Sequence, residues 1–496
     1  MFKQNLLKLV FGVLVFFLSF VGASFAQSNE IKLGLVLEPP HLDPTAGAAA
    51  AIDEVVYANI FEGLTRIDEN GAVQSSLSTS WEISDDNLTY TFMLKSGVKF
   101  HDGTPFDSSD VVFSFERAMG EDSVNAQKGI FAVIEEVRGA GKESVVIQLK
   151  QPVGDFLFNI GRGDAVIVSK NSADNNKTNP IGTGPFKFVK WDKGSKVVLE
   201  TYEDYVGKSV AIKKATFVFI SDPNTAIAAM LANDIDGFPI FPAPESLEIF
   251  DNDKRFRVLI GTTEGETILA TNNKATPFND IRVRQAIAHT IDRKAIIDGA
   301  MFGYGTPIGS HFAPHNPYYI DKVNTYPLDL EKAKQLLNDA GYANGFKATL
   351  KLPPAPYARR GGQIIASQLR QVGIELELIN IEWAQWLEDV FTNKDYDLTI
   401  VSHVEPFDIG IYANPDYYFQ FDNEDFRAIM DQLTNTTDDG GRRALAYYAQ
   451  DFLARHAVNG FLFQLAKTGV WSVKLDGMWA NAPVEGNDLS NIVWVE

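Results

Sequence analysis

The alternation of strand-like and helix-like segments between residues 270 and 404 most constrains how this chain can fold. Short apolar or alternating runs, such as IELELI (374–379) and YDLTIVSH (396–403), are separated by segments with apolar residues at helical spacing. This alternation is typical of a parallel or mixed sheet covered by helices, so we predict the α/β fold class. Ligands of such folds bind beyond the carboxyl ends of the strands, and candidate site residues are therefore sought there.

Helices are predicted where a capping residue precedes an apolar periodic segment. SSDVVFSFERAM (108–119) reads as a helix capped by Ser108 or Ser109, and AAAAIDEVVYANIFEGL (48–64) as one that ends near Gly63. DIRVRQAIAHTIDRKAIIDGAM (280–301) is predicted to form one helix capped by Asp280. DLEKAKQLLNDAG (329–341) is predicted to form another, capped by Asp329.

The first 26 residues, MFKQNLLKLVFGVLVFFLSFVGASFA, have the layout of a secretory signal peptide. Two lysines lead into an apolar run from Leu9 to Val21, and Ser24 and Ala26 supply the small residues of a cleavage site. The run is shorter than the roughly 20 residues that span a bilayer. We expect cleavage near Ala26 and an exported protein in a compartment outside the cytoplasm.

Length and cysteine content limit how the exported chain is stabilised. The sequence has 496 residues and no cysteine, so no disulfide framework is available and the fold depends on buried apolar surface. A chain of this length is too large for one hydrophobic core, and two or three domains are expected.

The charge balance indicates which partners the surface disfavours. The formal net charge is −20, with 64 acidic and 44 basic residues. Such a surface repels nucleic acid and anionic membranes, so no nucleic-acid partner is predicted. It suits cationic or zwitterionic ligands, although an acidic coat that only aids solubility explains the same composition.

The sequence contains no familiar catalytic signature. A G-x-S-x-G elbow, an H-E-x-x-H pair, a P-loop and a dinucleotide fingerprint are all missing, so neither catalytic residues nor a cofactor are predicted. His311 and His315 in HFAPH have the i, i+4 spacing of helical metal ligands, but Pro314 opposes a helix there. We interpret them as loop histidines and predict no metal site.

Two strand ends carry the candidate binding residues. Trp383 follows the strand ELELINI, and the stretch SHVEPFDIGIY (402–412) follows YDLTIV, so the two ends are expected to be adjacent. The second stretch supplies His403, Glu405, Asp408 and Tyr412. Carboxylates beside aromatic rings suit a ligand with an amine, through charge-assisted hydrogen bonds and cation–π contacts.

A pair of arginines is a second candidate. Arg359 and Arg360 are predicted to lie in a loop framed by proline and glycine, directly before a helix start. There they would grip a ligand carboxylate near helix N-terminal amides. A solvated pair that offsets the acidic surface is the alternative interpretation.

Several blocks together resemble the periplasmic peptide/nickel-type (family 5) solute-binding proteins of ABC importers. The blocks are LEPPHLDP, the long segment from IFEGLTRIDENG to FERA (60–118), NPIGTGPFKF, DIRVRQAIAHTIDRKAII and EKAKQLLNDAG, and they cover nearly the whole chain after the leader. The resemblance implies a large two-lobed fold (type II) with mixed sheets flanked by helices. It also implies an extra subdomain in lobe 1 and a ligand enclosed by hinge closure.

The resemblance also sets the expected domain boundaries and partners. Lobe 1 is expected at 27–265 with an inserted subdomain at about 45–168, lobe 2 at 266–465, and a return to lobe 1 at 466–496. The expected partners are a small-molecule or peptide ligand and an ABC permease in the inner membrane. The protein is expected to be a monomer in the periplasm, secreted across the inner membrane. Peptide-binding members hold the ligand backbone as an added strand.

Site residues carry over less completely than the fold. Peptide binders end the strand before the site in Gly-Trp, whereas Ser-His stands here, and Ile411 occupies the position four residues before Pro415 where an aspartate is usual. Glu405 and Asp408 are the nearest substitutes for that amine-binding aspartate. This departure puts the peptide ligand in doubt but not the family.

Two further positions match the family pattern. Trp383 in Glu-Trp corresponds to the family's tryptophan. The loop after LDP, with Gly47 and Ala48, corresponds to a segment that contacts the peptide backbone.

The sequence therefore predicts a solute-binding component of an ABC importer that captures a di- or oligopeptide. An oligosaccharide, an opine-like conjugate or a metal chelate remains an alternative ligand. A chaperone or a receptor for signalling peptides would use the same cleft. An exported hydrolase that uses Glu405 and Asp408 as paired carboxylates is a distant alternative.

Overall fold

The computed structural model describes residues 29–47, 49–436 and 438–495. The predicted leader with its cleavage site near Ala26, and Ala48 of the predicted backbone-contact loop, lie outside the described residues.

The strands of the described residues belong to one large sheet and three smaller ones. In chain order they are β1 (Glu30–Leu35), β2 (Thr65–Ile67), β3 (Val73–Ser75), β4 (Ser78–Ile83), β5 (Thr89–Leu94), β6 (Ile134–Gly139), β7 (Ser144–Leu149), β8 (Phe186–Asp192), β9 (Lys196–Thr201), β10 (Lys214–Phe219), β11 (Gly237–Phe238), β12 (Phe256–Thr271), β13 (Gly305–Pro307), β14 (Phe346–Leu352), β15 (Ile374–Asn380), β16 (Leu398–His403), β17 (Gly460–Ser472), β18 (Leu475–Asp476) and β19 (Val493–Trp494).

The large sheet runs through the whole molecule. Its order among the described residues is β15-β14-β16-β12-β17-β11-β1-β10-β9-β8, with β13 beside β17. A separate four-stranded antiparallel sheet has the order β4-β5-β7-β6. The parallel pairs of the large sheet are β1 with β10 and β11, and β14 with β15 and β16, so the sheet is mixed.

Helices cover these sheets. The α-helices are α1 (Ala50–Val56), α2 (Ser108–Met119), α3 (Lys128–Ala132), α4 (Phe156–Asn159), α5 (Pro223–Leu231), α6 (Leu247–Asp251), α7 (Ile281–Thr290), α8 (Arg293–Met301), α9 (Leu330–Asp339), α10 (Pro356–Arg370), α11 (Trp383–Trp386), α12 (Glu424–Asn435) and α13 (Asp439–Arg455). Single 3-10 turns occur at Pro44–Ala46, Gly163–Ala165, Ala173–Asn175, Pro244–Ser246, Val323–Thr325 and Ile409–Ala413, and a π-helical turn at Leu387–Thr392.

Aspartate side chains cap several of the longer helices. Asp280 and Asp329 accept hydrogen bonds from first-turn amides of α7 and α9, as predicted. The predicted cap of α2 was wrong, because Asp107 forms a capping box there and the two serines are already helical. The single helix predicted over 280–301 was also wrong, since Asp292 caps a second helix, α8.

Two other helix predictions differ from the structure. The first helix ends at Val56 rather than near Gly63, and the chain then forms a turn and an isolated bridge between Tyr57 and Phe61. The loop predicted for Arg359 and Arg360 was wrong, because α10 begins at Pro356 and includes both. Proline is favoured in the first turn of a helix, where its missing N–H costs nothing.

Two long antiparallel strands join the halves of the molecule. β12 and β17 pair from Phe256 with Ser472 to Leu269 with Gly460, and their register shifts between residues 262 and 266. On one side β17 pairs with β11, and on the other β12 pairs with β16. Gly261 is required in β12, because a Cβ there would lie 1.9 Å from the Ala480 carbonyl oxygen.

Separate apolar cores lie on the two sides of these joining strands. One half holds the core around β1 and β8–β10 and a second core under the four-stranded sheet. The other half holds the cores of β14–β16 with their helices and of the loops beyond β16. The fold is therefore two-lobed and α/β with mixed sheets, which confirms the predicted class. We use lobe 1 for the half with β1 and lobe 2 for the half with β14.

Among the described residues, no helix combines the length and apolar character that a bilayer crossing requires.

Candidate functional site

The candidate site begins at the carboxyl end of β16 in lobe 2. The strand LTIVSH has four consecutive buried residues and then two that are only partly buried, so the chain leaves the core at Ser402 and His403. β15 and β16 end at the same edge of the sheet but are not adjacent as predicted, because β14 pairs in parallel with both. The segment after β16 still reaches this edge with His403, Glu405 and Asp408.

His403 is held by an aromatic neighbour. Its Nε2 lies 2.8 Å from the hydroxyl of Tyr418, and the two rings are stacked at 10°. The side chain is 11% exposed. Burial lowers the pKa of His403, while the carboxylates of Asp408 and Glu405 act in the opposite direction. At neutral pH a neutral imidazole is therefore favoured, with one ring nitrogen able to accept a proton or bind a cation.

Asp408 belongs to a buried triad with a histidine between two acids. Its Oδ1 lies 2.7 Å from Nε2 of His311, whose Nδ1 lies 3.2 Å from Oε2 of Glu266. The side chains of His311 and Glu266 are 1% and 3% exposed. Burial, and then the negative charge of Asp408, raise the pKa of Glu266 well above its ordinary value. The histidine thus positions Asp408 from behind and leaves its second oxygen for another donor.

A second histidine-acid pair extends this wall. His315 bonds Glu264, a buried residue of β12, through Nε2. Oε2 of Glu264 is buried and has no hydrogen-bond partner among the described residues. Both histidines lie on a loop, as interpreted from the sequence, but the structure brings that loop to the site.

The opposite wall comes from lobe 1. Arg162 lies 3.7 Å from Asp164, and both side chains are buried. Burial raises the pKa of Asp164 to about 6, although Arg162 acts against it. Burial likewise raises the pKa of Glu485 to about 7. The charge of Glu405 in lobe 2 contributes to the pKa shifts of Arg162, Asp164 and Glu485, so the two walls face each other.

The lobes are closed over the site in this structure. The ring of Phe158 in α4 of lobe 1 meets the ring of Phe407 in lobe 2, with centroids 5.2 Å apart. Phe407 also packs edge to face against Tyr318 and adopts a left-handed φ of 67°. A phenylalanine in that conformation is strained, and the ring of this strained residue lies against lobe 1.

The structure places Tyr412 behind the site. Its ring is 2% exposed and packs against His311 and Phe419, and its hydroxyl accepts a hydrogen bond from Asn459 at 3.3 Å. The predicted contact of Tyr412 with a ligand stays a prediction, and in this closed arrangement the side chain belongs to the core.

Trp383 lies at the rim of the same aromatic group. It is 46% exposed and stacks on the buried Trp386 with centroids 4.8 Å apart. Trp386 in turn meets the edge of Tyr418, which stacks on His403. The indole is exposed over this array, and its predicted role in covering a ligand stays a prediction.

The predicted arginines already have carboxylate partners. Arg360 bonds Glu245 of lobe 1 at 2.9 Å, and Arg359 bonds Glu382 at 3.2 Å. Their predicted role in holding a ligand carboxylate stays untested. Gly47, the described member of the predicted backbone-contact loop, packs so closely on His41 that a Cβ would lie 2.8 Å from Nε2.

Several site residues were not predicted from the sequence. They are Asp53, Phe158, Arg162, Asp164, Glu264, Glu266, His311, Phe407 and Glu485. Charges inside apolar surroundings were the available signal: NIGRGDAVIV (159–168) carries Arg162 and Asp164, and EGETILA (264–270) carries two acids at strand spacing. Periodicity alone does not show which of these charges meet.

The arrangement can hold a cation. Ligand atoms of His403, Glu405 and Asp408 lie within 4.8 Å of one another. Two carboxylates and an imidazole suit a ligand ammonium through charge-assisted hydrogen bonds, and the same set suits a borderline divalent metal.

Comparison with known proteins gives a consistent family. The family model described as bacterial extracellular solute-binding proteins, family 5 (middle), matches residues 72–448. Heme-binding protein A of Haemophilus influenzae is 28% identical over 424 residues, which are 76% of each chain. The dipeptide-binding protein of Escherichia coli is 30% identical over 348 residues, which are 63% of this chain and 64% of that protein.

A solved structure shares the fold. The periplasmic binding protein DppA of Helicobacter pylori, in complex with the peptide STSA, superposes with a TM-score of 0.85. The superposition covers 95% of this chain and 99% of that chain at 24% sequence identity.

Proposed function

The chain belongs to family 5 of the bacterial extracellular solute-binding proteins, and from this premise we propose that it captures a di- or oligopeptide between its lobes and delivers it to the permease of an ABC importer. The E. coli dipeptide-binding protein and the peptide complex of DppA support the peptide as ligand class. The resemblance seen in the sequence, to the peptide/nickel-type proteins of ABC importers, identified the correct family.

The observation that carries the proposal is the position of Glu405 and Asp408. Both follow β16 at the edge where lobe 2 faces lobe 1, and His311 fixes one oxygen of Asp408 at 2.7 Å. Glu405 acts electrostatically on residues of both lobes. A peptide ammonium between these carboxylates would be bound by lobe 2 and would favour closure of lobe 1 over it.

The other predicted site residues and the lobe boundaries are assigned in line with this peptide-binding function. We assign Trp383 to the rim over the ligand, His403 to the wall beside the ammonium, and Gly47 with Ala48 to the lobe 1 loop that approaches the peptide backbone. Lobe 1 is proposed to comprise 27–265 and 466–496, and lobe 2 to comprise 266–465. We further propose a periplasmic monomer, released from its leader near Ala26, that binds no nucleic acid and carries out no chemistry on its ligand.

Thermal-shift screening of refolded, ligand-free protein tests the proposal. A ligand at 100 times its Kd stabilises the fold by about 2.7 kcal/mol, which is readily detected. We expect a rise in Tm with at least one member of a di- and tripeptide library. No shift with any peptide, together with a shift for an oligosaccharide or an opine-like conjugate, would replace the peptide with that solute class.

A metal chelate is the second candidate ligand, and the ligand atoms of His403, Glu405 and Asp408 favour it. The name of Heme-binding protein A also shows that relatives within this range of identity include one named for a metal-containing ligand. Titration with Ni²⁺, Zn²⁺ or Co²⁺, alone and with free histidine, distinguishes the candidates. Binding that requires metal and is abolished by EDTA would favour the chelate over the peptide.

A further inference from the structure

The carboxylates of the two lobes form one electrostatic group, which we call the cleft acids. Asp53 interacts with Asp164 and Glu485, Glu485 with Glu405, and Glu405 with Glu266. Glu266 also interacts with Asp408 and Glu264 on the lobe 2 side. The complete group is Asp53, Asp164, Glu264, Glu266, Glu405, Asp408 and Glu485.

The positive charge opposite the cleft acids is much smaller. Within the described residues, the guanidinium of Arg162 lies among the cleft acids. It is already paired with Asp164 at a distance of 3.7 Å. The imidazoles are those of His311, His315 and His403. Burial raises the pKa of Asp53, Asp164, Glu266 and Glu485, so the ligand-free cleft keeps part of this group protonated. A cation that enters favours the ionised form, in which, among the described residues, seven carboxylates face one guanidinium and three imidazoles and the enclosed space is net negative.

Some of these carboxylate oxygens lack a donor. Oε2 of Glu264 and Oδ1 of Asp53 are buried and make no hydrogen bond within the described residues. Oε2 of Glu266 is buried too, and its contact with Nδ1 of His311 at 3.2 Å lacks hydrogen-bond geometry. Glu264 and Glu266 are 7% and 2% exposed. A buried carboxylate without a donor is costly, and a ligand that brings N–H donors and positive charge removes that cost.

An ordinary zwitterionic dipeptide matches this charge poorly. Its ammonium would be satisfied at Glu405 and Asp408, but its carboxylate would enter a space whose cation is already paired with an acid. A peptide with a second ammonium or a guanidinium complements both walls. Like-charge juxtaposition in a desolvated cleft is a strong means of rejecting the wrong ligand.

We propose that the site selects peptides with a basic side chain, whose N-terminal ammonium lies at Glu405 and Asp408 and whose second cation lies at the lobe 1 acids Asp53, Asp164 and Glu485. This inference rests on the proposed function as a peptide-binding protein. It names the ligand's charge, which neither the relatives nor the fold specify.

A series of isosteric peptides tests the inference on the unmodified protein. Lys-Ala and Ala-Lys are compared by isothermal titration calorimetry with Nle-Ala and Ala-Nle, in which norleucine keeps the chain length but carries no charge. Ala-Lys-Ala and Ala-Nle-Ala extend the comparison to tripeptides, and EDTA is present throughout. We expect at least one lysine peptide to bind at least tenfold tighter than its norleucine partner, with a preference that shrinks as salt rises.

The location of the second cation is tested with Glu485→Gln. The variant is expected to lose at least threefold of the lysine preference while its affinity for the norleucine peptide stays unchanged. Glu424→Gln, at an exposed position of α12, is the matched control and should keep the full preference. Circular dichroism and Tm of each variant confirm that the fold is retained.

The outcomes separate this inference from the proposed function. Equal affinity for lysine and norleucine peptides would overturn the charge inference and leave the peptide-binding function in place. No binding by any peptide would overturn both. Binding that appears only when EDTA is replaced by a divalent metal would show that the cation of this site is a metal ion instead.

Discussion

Phe158 of lobe 1 and Phe407 of lobe 2 meet edge to face across the cleft, with ring centroids 5.2 Å apart and ring planes at 88°. The two residues lie 249 positions apart, numbered 158 and 407, and Phe407 belongs to the segment that follows β16. Phe407 packs against the lobe 1 cluster that contains Phe158, Tyr57 and Trp479. Contact of this kind exists only while the lobes are together, so it contributes to the closed state.

Removing either ring is therefore expected to weaken ligand binding without unfolding a lobe. An aromatic pair contributes about 0.5–1.5 kcal/mol beyond its area burial. In a double-mutant cycle of Phe158→Ala and Phe407→Ala, ligand affinity should show a coupling energy in that range, with the loss mainly in the dissociation rate. Strictly additive losses would show that the rings do not cooperate in closure.

Glu245 and Arg360 form an ion pair between the lobes, 2.9 Å apart. Because both side chains are partly exposed, we expect the pair to favour closure by no more than about 1 kcal/mol. Glu245→Arg should weaken ligand binding severalfold at low salt, and adding Arg360→Glu should restore it. Failure of the swapped pair to restore affinity would point instead to a direct contact between Arg360 and the ligand.

The carboxylates of Glu405 and Asp408 are expected to carry much of the affinity. Asp408→Asn or Glu405→Gln should weaken binding of a ligand ammonium by about 2–5 kcal/mol, since a buried charge pair loses one partner. Asp416→Asn, an exposed acid of the same segment, is the control and should bind as the parent does. Isothermal titration calorimetry with one peptide measures the affinity of each of the three variants and tests this prediction. Unchanged affinity in both cleft variants would assign these acids to the solvated surface.

Tyr412 is expected to affect stability rather than recognition. Its buried hydroxyl accepts a hydrogen bond from Nδ2 of Asn459, so Tyr412→Phe removes that bond and leaves this N–H without its acceptor. The expected cost is about 0.5–1.5 kcal/mol in the free energy of unfolding, with ligand affinity unchanged. Urea unfolding and calorimetry measure the two effects. A large loss of affinity with normal stability would return Tyr412 to the binding surface.

Ligand-free protein is expected to lose stability as pH rises through neutrality. Burial raises the pKa of Glu485 from 4.5 to about 7, so folding favours its protonated form. The stabilisation is complete below about pH 4.5 and is lost as pH rises through about 7. Asp164, with a pKa of about 6, acts in the same direction.

Differential scanning calorimetry from pH 5 to pH 8 measures this dependence. The Tm of the parent should fall over that interval, and Glu485→Gln should show a smaller fall because the variant cannot ionise there. Identical pH profiles for parent and variant would show that Glu485 is solvated and has an ordinary pKa.

The sequence determined the elements that local rules control. Strand parity predicted β15 and β16, helical spacing predicted α2 and α9, and Asp280 and Asp329 marked two helix starts correctly. The resemblance carried by successive blocks gave the family and the two-lobed fold. The end of β16, with Glu405 and Asp408 beyond it, was also identified, because a strand end depends on residues close together in the chain.

Only the tertiary structure decided which charges and rings meet. Asp408 bonds His311, which is 97 positions away in the sequence, and Arg360 bonds Glu245, which is 115 positions away. No local periodicity encodes such distances, since they follow from how whole lobes pack and close. The same packing buried Tyr412 behind His311 and set the lobe 1 acids opposite Glu405. The sequence placed an acidic loop at a strand end, and the fold surrounded it with further acids and the guanidinium of Arg162.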